Sequence, residues 1–169
     1  MAEYIIDTNV WVVASGGHEG AFGDCVMACI ELLSGLREQG AALVMDESSF
    51  LGECPGNSVL RELKDNLREG GYGHDLFWNH VFHNGCFTPV RIDHDDEGAA
   101  LPMVILQREQ DGSTNSFEPS DRKWIALQLA HPLHPEIHNA VDGDWEKARQ
   151  DLATYGIRVK QLCRGCDIP

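Results

Sequence analysis

The chain has 169 residues, 43% hydrophobic and 24% charged, with 27 Asp+Glu against 13 Lys+Arg and a formal net charge of -14. No apolar run approaches the roughly 18 residues that a membrane-spanning helix needs, and the first residues lack the basic and apolar regions of an export signal, so no membrane role and a cytoplasmic location are expected. The charge repels a free polyanion at range, so any nucleic-acid role must bring its own cations.

Tyr4 to Ile6 have strand composition and stop at Asp7, which is followed by the polar step Thr8-Asn9. After the loop at Gly16-Gly17 a helix is predicted, with Asp24 as N-cap, Val26, Ile30, Leu33 and Leu36 on one face, and Gly40 after its last turn. AALVMD predicts a second strand ending at Asp46, and ESSFLGEC a short helix closed by Pro55-Gly56. SVLRELKDNLRE, 58–69, carries apolar residues at 59, 60, 63 and 67 and reads as an amphipathic helix; HDLFWNHVFHN, 74–84, reads as another. CFTPVRI, 86–92, has strand content that Pro89 confines to a sheet edge or bulge. Residues 93–118 are acidic and then polar, with an exposed loop at QREQDGSTNS. Pro119-Ser120 precede a helix from about Asp121 to Ala130, IHNAV is a strand ending at Asp142, WEKARQDLATYG a helix stopped by Gly156, and IRVKQL a last strand. This alternation argues for an α/β fold with a mostly parallel sheet in a single domain, 1–169.

Ligands of such sheets bind beyond the carboxyl ends of the strands. Asp7 and Asp142 are expected there, Asp121 opens a helix, and Glu53 lies in the short helix after the second strand. Two like charges about 4 Å apart repel by roughly 4 kcal/mol at an effective dielectric near 20. If these carboxylates converge, they must take up protons or hold a cation, and an all-oxygen donor set points to Mg²⁺ or Mn²⁺. Such a centre can polarise a phosphate and activate a water for phosphodiester hydrolysis.

YIIDTNVWV resembles the first motif of PIN-domain proteins, ESSFLGEC the second, acidic-helix motif, PSDRKWIALQLA the third, and NAVDGDW with the following helix and YGIRV the fourth and the close of the domain. The motifs run in order from about residue 3 to 162. The resemblance implies a three-layer α/β/α fold and a metal-dependent endoribonuclease: a toxin of a toxin-antitoxin pair, an RNA-processing enzyme or a defence nuclease. Its partners would be RNA and, where one exists, an inhibitor protein; self-association is compatible with it. Carried over by position, Asp7, Glu53, Asp121 and Asp142 would be the catalytic and metal-binding carboxylates, Asp144 an outer metal ligand, and Thr8 and Asn9 rim residues bonding carboxylates or metal waters. Asp46 and Glu47 share the stretch of Glu53, which fits the family's spacing best. The segment from about 70 to 118 is an insertion relative to compact PIN toxins.

Each residue also has a plainer reading. Asp7 could cap a loop, Asp121 gains about 0.3 to 1 kcal/mol in a first helical turn, and Asp144-Trp145 could simply start a helix. Without an export signal the six cysteines are expected to be reduced thiols. Cys25 and Cys29 (CxxxC) could join Cys163 and Cys166 (CxxC) at a zinc ion, although the helical pair reads more simply as core. His131, His134 and His138 straddle two prolines and read as loop surface rather than ligands, and Phe77, Trp78 and Phe82 read as core rather than base-stacking platforms. The rival to a nuclease is a non-catalytic subunit whose acidic surface binds a basic protein. A haloacid-dehalogenase-type phosphatase also starts with a strand-end Asp, but it wants a second Asp where this chain has Asn9.

Overall fold

A computed structural model describes residues 2–51, 57–94, 100 and 119–163. Five strands, β1 (Glu3–Ile6), β2 (Ala42–Asp46), β3 (Phe87–Val90), β4 (Ile137–Asn139) and β5 (Val159–Gln161), form one all-parallel sheet in the order β3-β2-β1-β4-β5. Ile5 pairs with Ile137, Tyr4 with Leu43, Val44 with Thr88 and His138 with Lys160. Every residue of β2 is buried, as a strand covered on both faces by helices requires. Among the described residues, six α-helices complete the three-layer α/β/α arrangement: α1 (Thr8–Ala14), α2 (Gly23–Glu38), α3 (Val59–Asn66), α4 (Tyr72–Leu76), α5 (Pro119–Ala130) and α6 (Gly143–Thr154). The chain runs from β1 outward to β3, then crosses to β4 on the other side of β1, so the connections diverge between β1 and β4. A crevice at that switch point is where a parallel sheet binds ligands.

Several expectations are corrected. The apolar stretch after Asp7, for which the residue pattern predicts no element, forms a seven-residue helix, α1. Asp24 sits in the first turn of α2, whose N-cap is Phe22. After β2 a short 3-10 turn, Glu47–Phe50, ends at the extended Leu51, and residues 52–54 of the expected acidic helix, with Glu53, lie outside the described residues, as does most of 93–118. The helix expected at 74–84 begins earlier as α4 and widens into a π-helical stretch, Phe77–Phe82. β3 is the edge strand that Pro89 required. β4 stops at Asn139, so Asp142 is the N-cap of α6 rather than the last strand residue.

Trp11, Trp124, Trp145 and Phe77 are fully buried in one apolar cluster, and Phe50 stacks on Phe87 at 4.4 Å between centroids. The aromatic group at 77–82 is thus largely core. Gln128 of α5, also buried, donates to Pro135 O and Arg158 O and accepts from Arg158 N, fastening α5 to the approach to β5. α1 is anchored at its far end: the Gly73 amide donates to Ser15 Oγ at 2.8 Å, and Ser15 Oγ to Trp11 O at 2.8 Å. A Cβ at Gly73 would lie 2.4 Å from Trp11 O, so only glycine lets α4 approach so closely.

His134 is exposed, but His131 and His138 are buried, against the loop-surface expectation. His131 pairs with Glu3 at 3.2 Å, and burial lowers the pKa of His138 on β4. Cys25 and Cys163 are joined by a disulfide, with Cα atoms 4.9 Å apart, where reduced thiols were expected. The packing of α2 beside the end of β5 brings them together. Cys29 and Cys86 are free, and burial pushes the Cys29 thiol up to about 12.

Candidate active site

Asp7 follows β1 and caps α1. Its amide donates to His138 O of β4 (3.0 Å), and its carboxylate accepts from Asn9 N (3.0 Å) and from the indole Nε1 of Trp145 (3.2 Å). Only 4% exposed, the group has its pKa pushed up to about 8, mainly by loss of hydration. The Glu62 and Asp121 carboxylates push in the same direction, while the Asn9 amide and the Lys123 ammonium oppose.

A cavity of about 450 Å³ opens over Asp7, lined also by Thr8, Asn9, Glu62, Asp121, Asp142 and Asp144. Four of the five carboxylates expected at a shared site therefore do line one space. Asp121 projects from the first turn of α5. Asp142 accepts from Asp144 N at 2.9 Å, and the exposed Asp144 pairs with Lys147 at 2.9 Å. Thr8 is buried and its hydroxyl has no hydrogen-bond partner among the described residues, a cost of about 1 to 3 kcal/mol if left dry. Asn9 lines the cavity, but its side chain bonds neither of the partners expected of a rim residue among the described residues. Its amide group donates to Asn139 Oδ1 (2.6 Å) and accepts from Ala140 N (2.8 Å), so it clips the start of α1 to the end of β4.

Glu62 and Lys123 were not singled out from the sequence. Glu62 lies on α3 beside the apolar stripe, where an acidic residue reads as a solvated face. The buried Lys123 ammonium pairs with Glu62 Oε2 and donates to Ser120 O. A signal was present: Ser58 caps α3, so its first turns start at a fixed point, and Glu62 and Asn66 share one face of it and both line the cavity.

Asp46 does not line this cavity, although it ends the neighbouring strand. Fully buried, it accepts from Ser48 Oγ, Ser49 Oγ (2.7 Å) and Val59 N (2.7 Å), and so holds the start of α3 against the sheet.

No family model, curated protein or solved structure matches this chain. What the chain does must therefore be argued from the site itself.

The cavity offers mainly oxygen donors, with the His18 imidazole also on its lining, and among the described residues the five carboxylates Asp7, Glu62, Asp121, Asp142 and Asp144 are met by the ammonium groups of Lys123 and Lys147. Such a set fits a hard divalent cation better than a soft one, and the orphaned Thr8 hydroxyl is a further oxygen at its base. A second cavity of about 360 Å³ shares Val12 and Asn66 with the first and is lined further by Ser15, Gly17 and Arg68. The two cavities therefore adjoin at Val12 and Asn66.

Proposed function

We propose that the chain is a Mg²⁺- or Mn²⁺-dependent endoribonuclease of PIN type. The observation that carries this is the meeting, in one cavity at the switch point of a parallel sheet, of carboxylates from four separate segments: Asp7 after β1, Glu62 on α3, Asp121 on α5, and Asp142 with Asp144 at the start of α6. Asp7, Glu62 and Asp121 would hold the metal ion, with Asp142 and Asp144 as its outer partners. When bound, the ion supplies Lewis-acid polarisation of a phosphate oxygen and lowers the pKa of a water.

The chain's own residues do the rest. Trp145 and the Asn9 amide orient the Asp7 carboxylate, and Asn9 keeps that orientation in register with β4. Lys123 fixes the rotamer of Glu62 and reduces the repulsion that Asp7 feels. The second carboxylate oxygen of Asp142 or Asp144 can take a proton from the attacking water. Lys147 on this cavity and Arg68 on the adjoining one offset the negative surface where a phosphate chain would lie. Glu62 takes the acidic-helix role for which the family resemblance suggested Glu53. We also place the chain in the cytoplasm, where RNA is met.

The test is cleavage of end-labelled RNA with Mn²⁺, with and without chelator, by the wild type and Asp7→Asn at matched purity. The variant is expected to lose at least about 10²-fold in rate. Equal cleavage by the two proteins sinks the mechanism.

One observation favours the rival class. Lys123 already places a cation against Glu62, which a non-catalytic, metal-free subunit binding a basic protein would also need. Absence of Mn²⁺ binding at millimolar metal would favour that reading.

A further inference from the structure

Away from the acidic cavity, three cysteines meet in the apolar interior. Cys25 and Cys29 stand one turn apart on the inner face of α2, and Cys163 arrives just past β5, where its amide donates to Ala140 O at 3.3 Å. Their sulfur atoms all lie within 4.8 Å of one another, and the residues are 5%, 0% and 6% exposed. The disulfide between Cys25 and Cys163 employs two of these sulfurs and leaves the third, Cys29, facing the pair. A crosslink alone gives no reason for that third sulfur.

We propose that, with Cys25 and Cys163 as thiols, Cys25, Cys29 and Cys163 bind a structural zinc ion that ties α2 to the end of β5. Tetrahedral zinc with Zn–S near 2.3 Å sets its sulfurs about 3.8 Å apart, within the 4.8 Å spread of these three sulfur atoms. A thiol or phosphine reductant first delivers two electrons and two protons to the Cys25–Cys163 bond, and binding then exchanges one proton from each cysteine for a Zn–S bond with no further change of oxidation state. Soft thiolates select zinc over the hard cations suited to the carboxylate cavity, so the two sites would not compete for one metal. Burial of all three cysteines keeps bulk solvent from the ion, and the three thiolates leave its fourth position to a further ligand. The sequence adds an independent pointer: Cys166 follows Cys163 at the CxxC spacing of zinc-binding loops, although it lies outside the described residues.

The inference does not depend on the nuclease proposal, and its test keeps the two apart. Expressed in zinc-supplemented medium and purified with a phosphine reductant, the full chain is expected to carry about one zinc atom, and Cys29→Ser to lose most of it. Cobalt(II) in place of zinc should give the strong near-ultraviolet sulfur-to-metal charge-transfer absorption of thiolate ligands. Cobalt held by carboxylates gives no such band, and Asp7→Asn should retain both the zinc and the band. A wild-type chain free of zinc, a cobalt spectrum without the sulfur band, or undiminished zinc in Cys29→Ser would each overturn the proposal. If Cys29→Ser does not fold, the wild-type zinc content and cobalt spectrum still decide.

Discussion

Asp7 and Asp46 stand at the carboxyl ends of neighbouring parallel strands, both buried, and the fold treats them in opposite ways. Asp46 is surrounded by donors: two serine hydroxyls and the first amide of α3. Asp7 receives one amide and one indole and is then faced with two further carboxylates. A buried carboxylate with its lone pairs satisfied holds structure together. One left short of partners among like charges stores unfavourable energy, which a ligand can release.

The contrast can be broken most severely at Asp46. Replacing it by alanine strands the Val59 amide and two hydroxyls and should lower unfolding free energy by about 3 kcal/mol, read by urea denaturation. An effect below about 1 kcal/mol would mean that α3 is held by something else.

Next in size is the assignment of the acidic helix. Glu62→Gln should reduce Mn²⁺-dependent RNA cleavage by about 10²-fold, while Glu53→Gln stays within about twofold of wild type. Reversed results would return the role to Glu53.

Asp7→Asn should do the opposite of Asp46→Ala and stabilise the metal-free protein, the more so as pH rises from about 4 towards 8. With a folded pKa of about 8 against an unfolded value near 3.9, the native state keeps a proton that the unfolded chain releases. Wild-type stability is therefore intact below about pH 4 and falls as pH rises towards 8, whereas the variant lacks this loss. Denaturation at a series of pH values should show the two curves converging in acid; parallel curves would contradict the burial cost assigned to Asp7.

The smallest effect belongs to the Thr8 hydroxyl. Thr8→Val keeps the shape and removes a buried, unpartnered group, so the metal-free protein should gain roughly 0.5 to 1 kcal/mol. Mn²⁺ should raise the melting temperature of this variant less than that of wild type.

Much of the fold could be read from residue patterns. The strands, their parallel arrangement and the edge position of β3 follow from apolar runs, strand-helix alternation and Pro89. Asp7, Asp121, Asp142 and Asp144 were predicted at one site, and all line one cavity. What escaped depends on contacts between distant segments. Glu62 looks solvated on its own helix and becomes a site residue only when α5 sets Lys123 against it. His138 sits in a strand too short to show alternation, so its burial was hidden. Asn9 looked like a rim group, yet its side chain spends its hydrogen bonds on β4. The meeting of Cys25 with Cys163 spans nearly the whole chain and leaves no local pattern.

The tight seat of Gly73 against α1 carries a consequence for recognition. α1 is clipped at one end by Asn9 to β4 and pinned at the other by the Gly73–Ser15 contact, leaving no room for a side chain between it and α4. A short rod clamped at both ends cannot tilt without breaking one of its fastenings. The floor of the cavity is thus set before any ligand arrives, and accommodation to a ligand's shape falls to α3 and the start of α6, which form the facing walls.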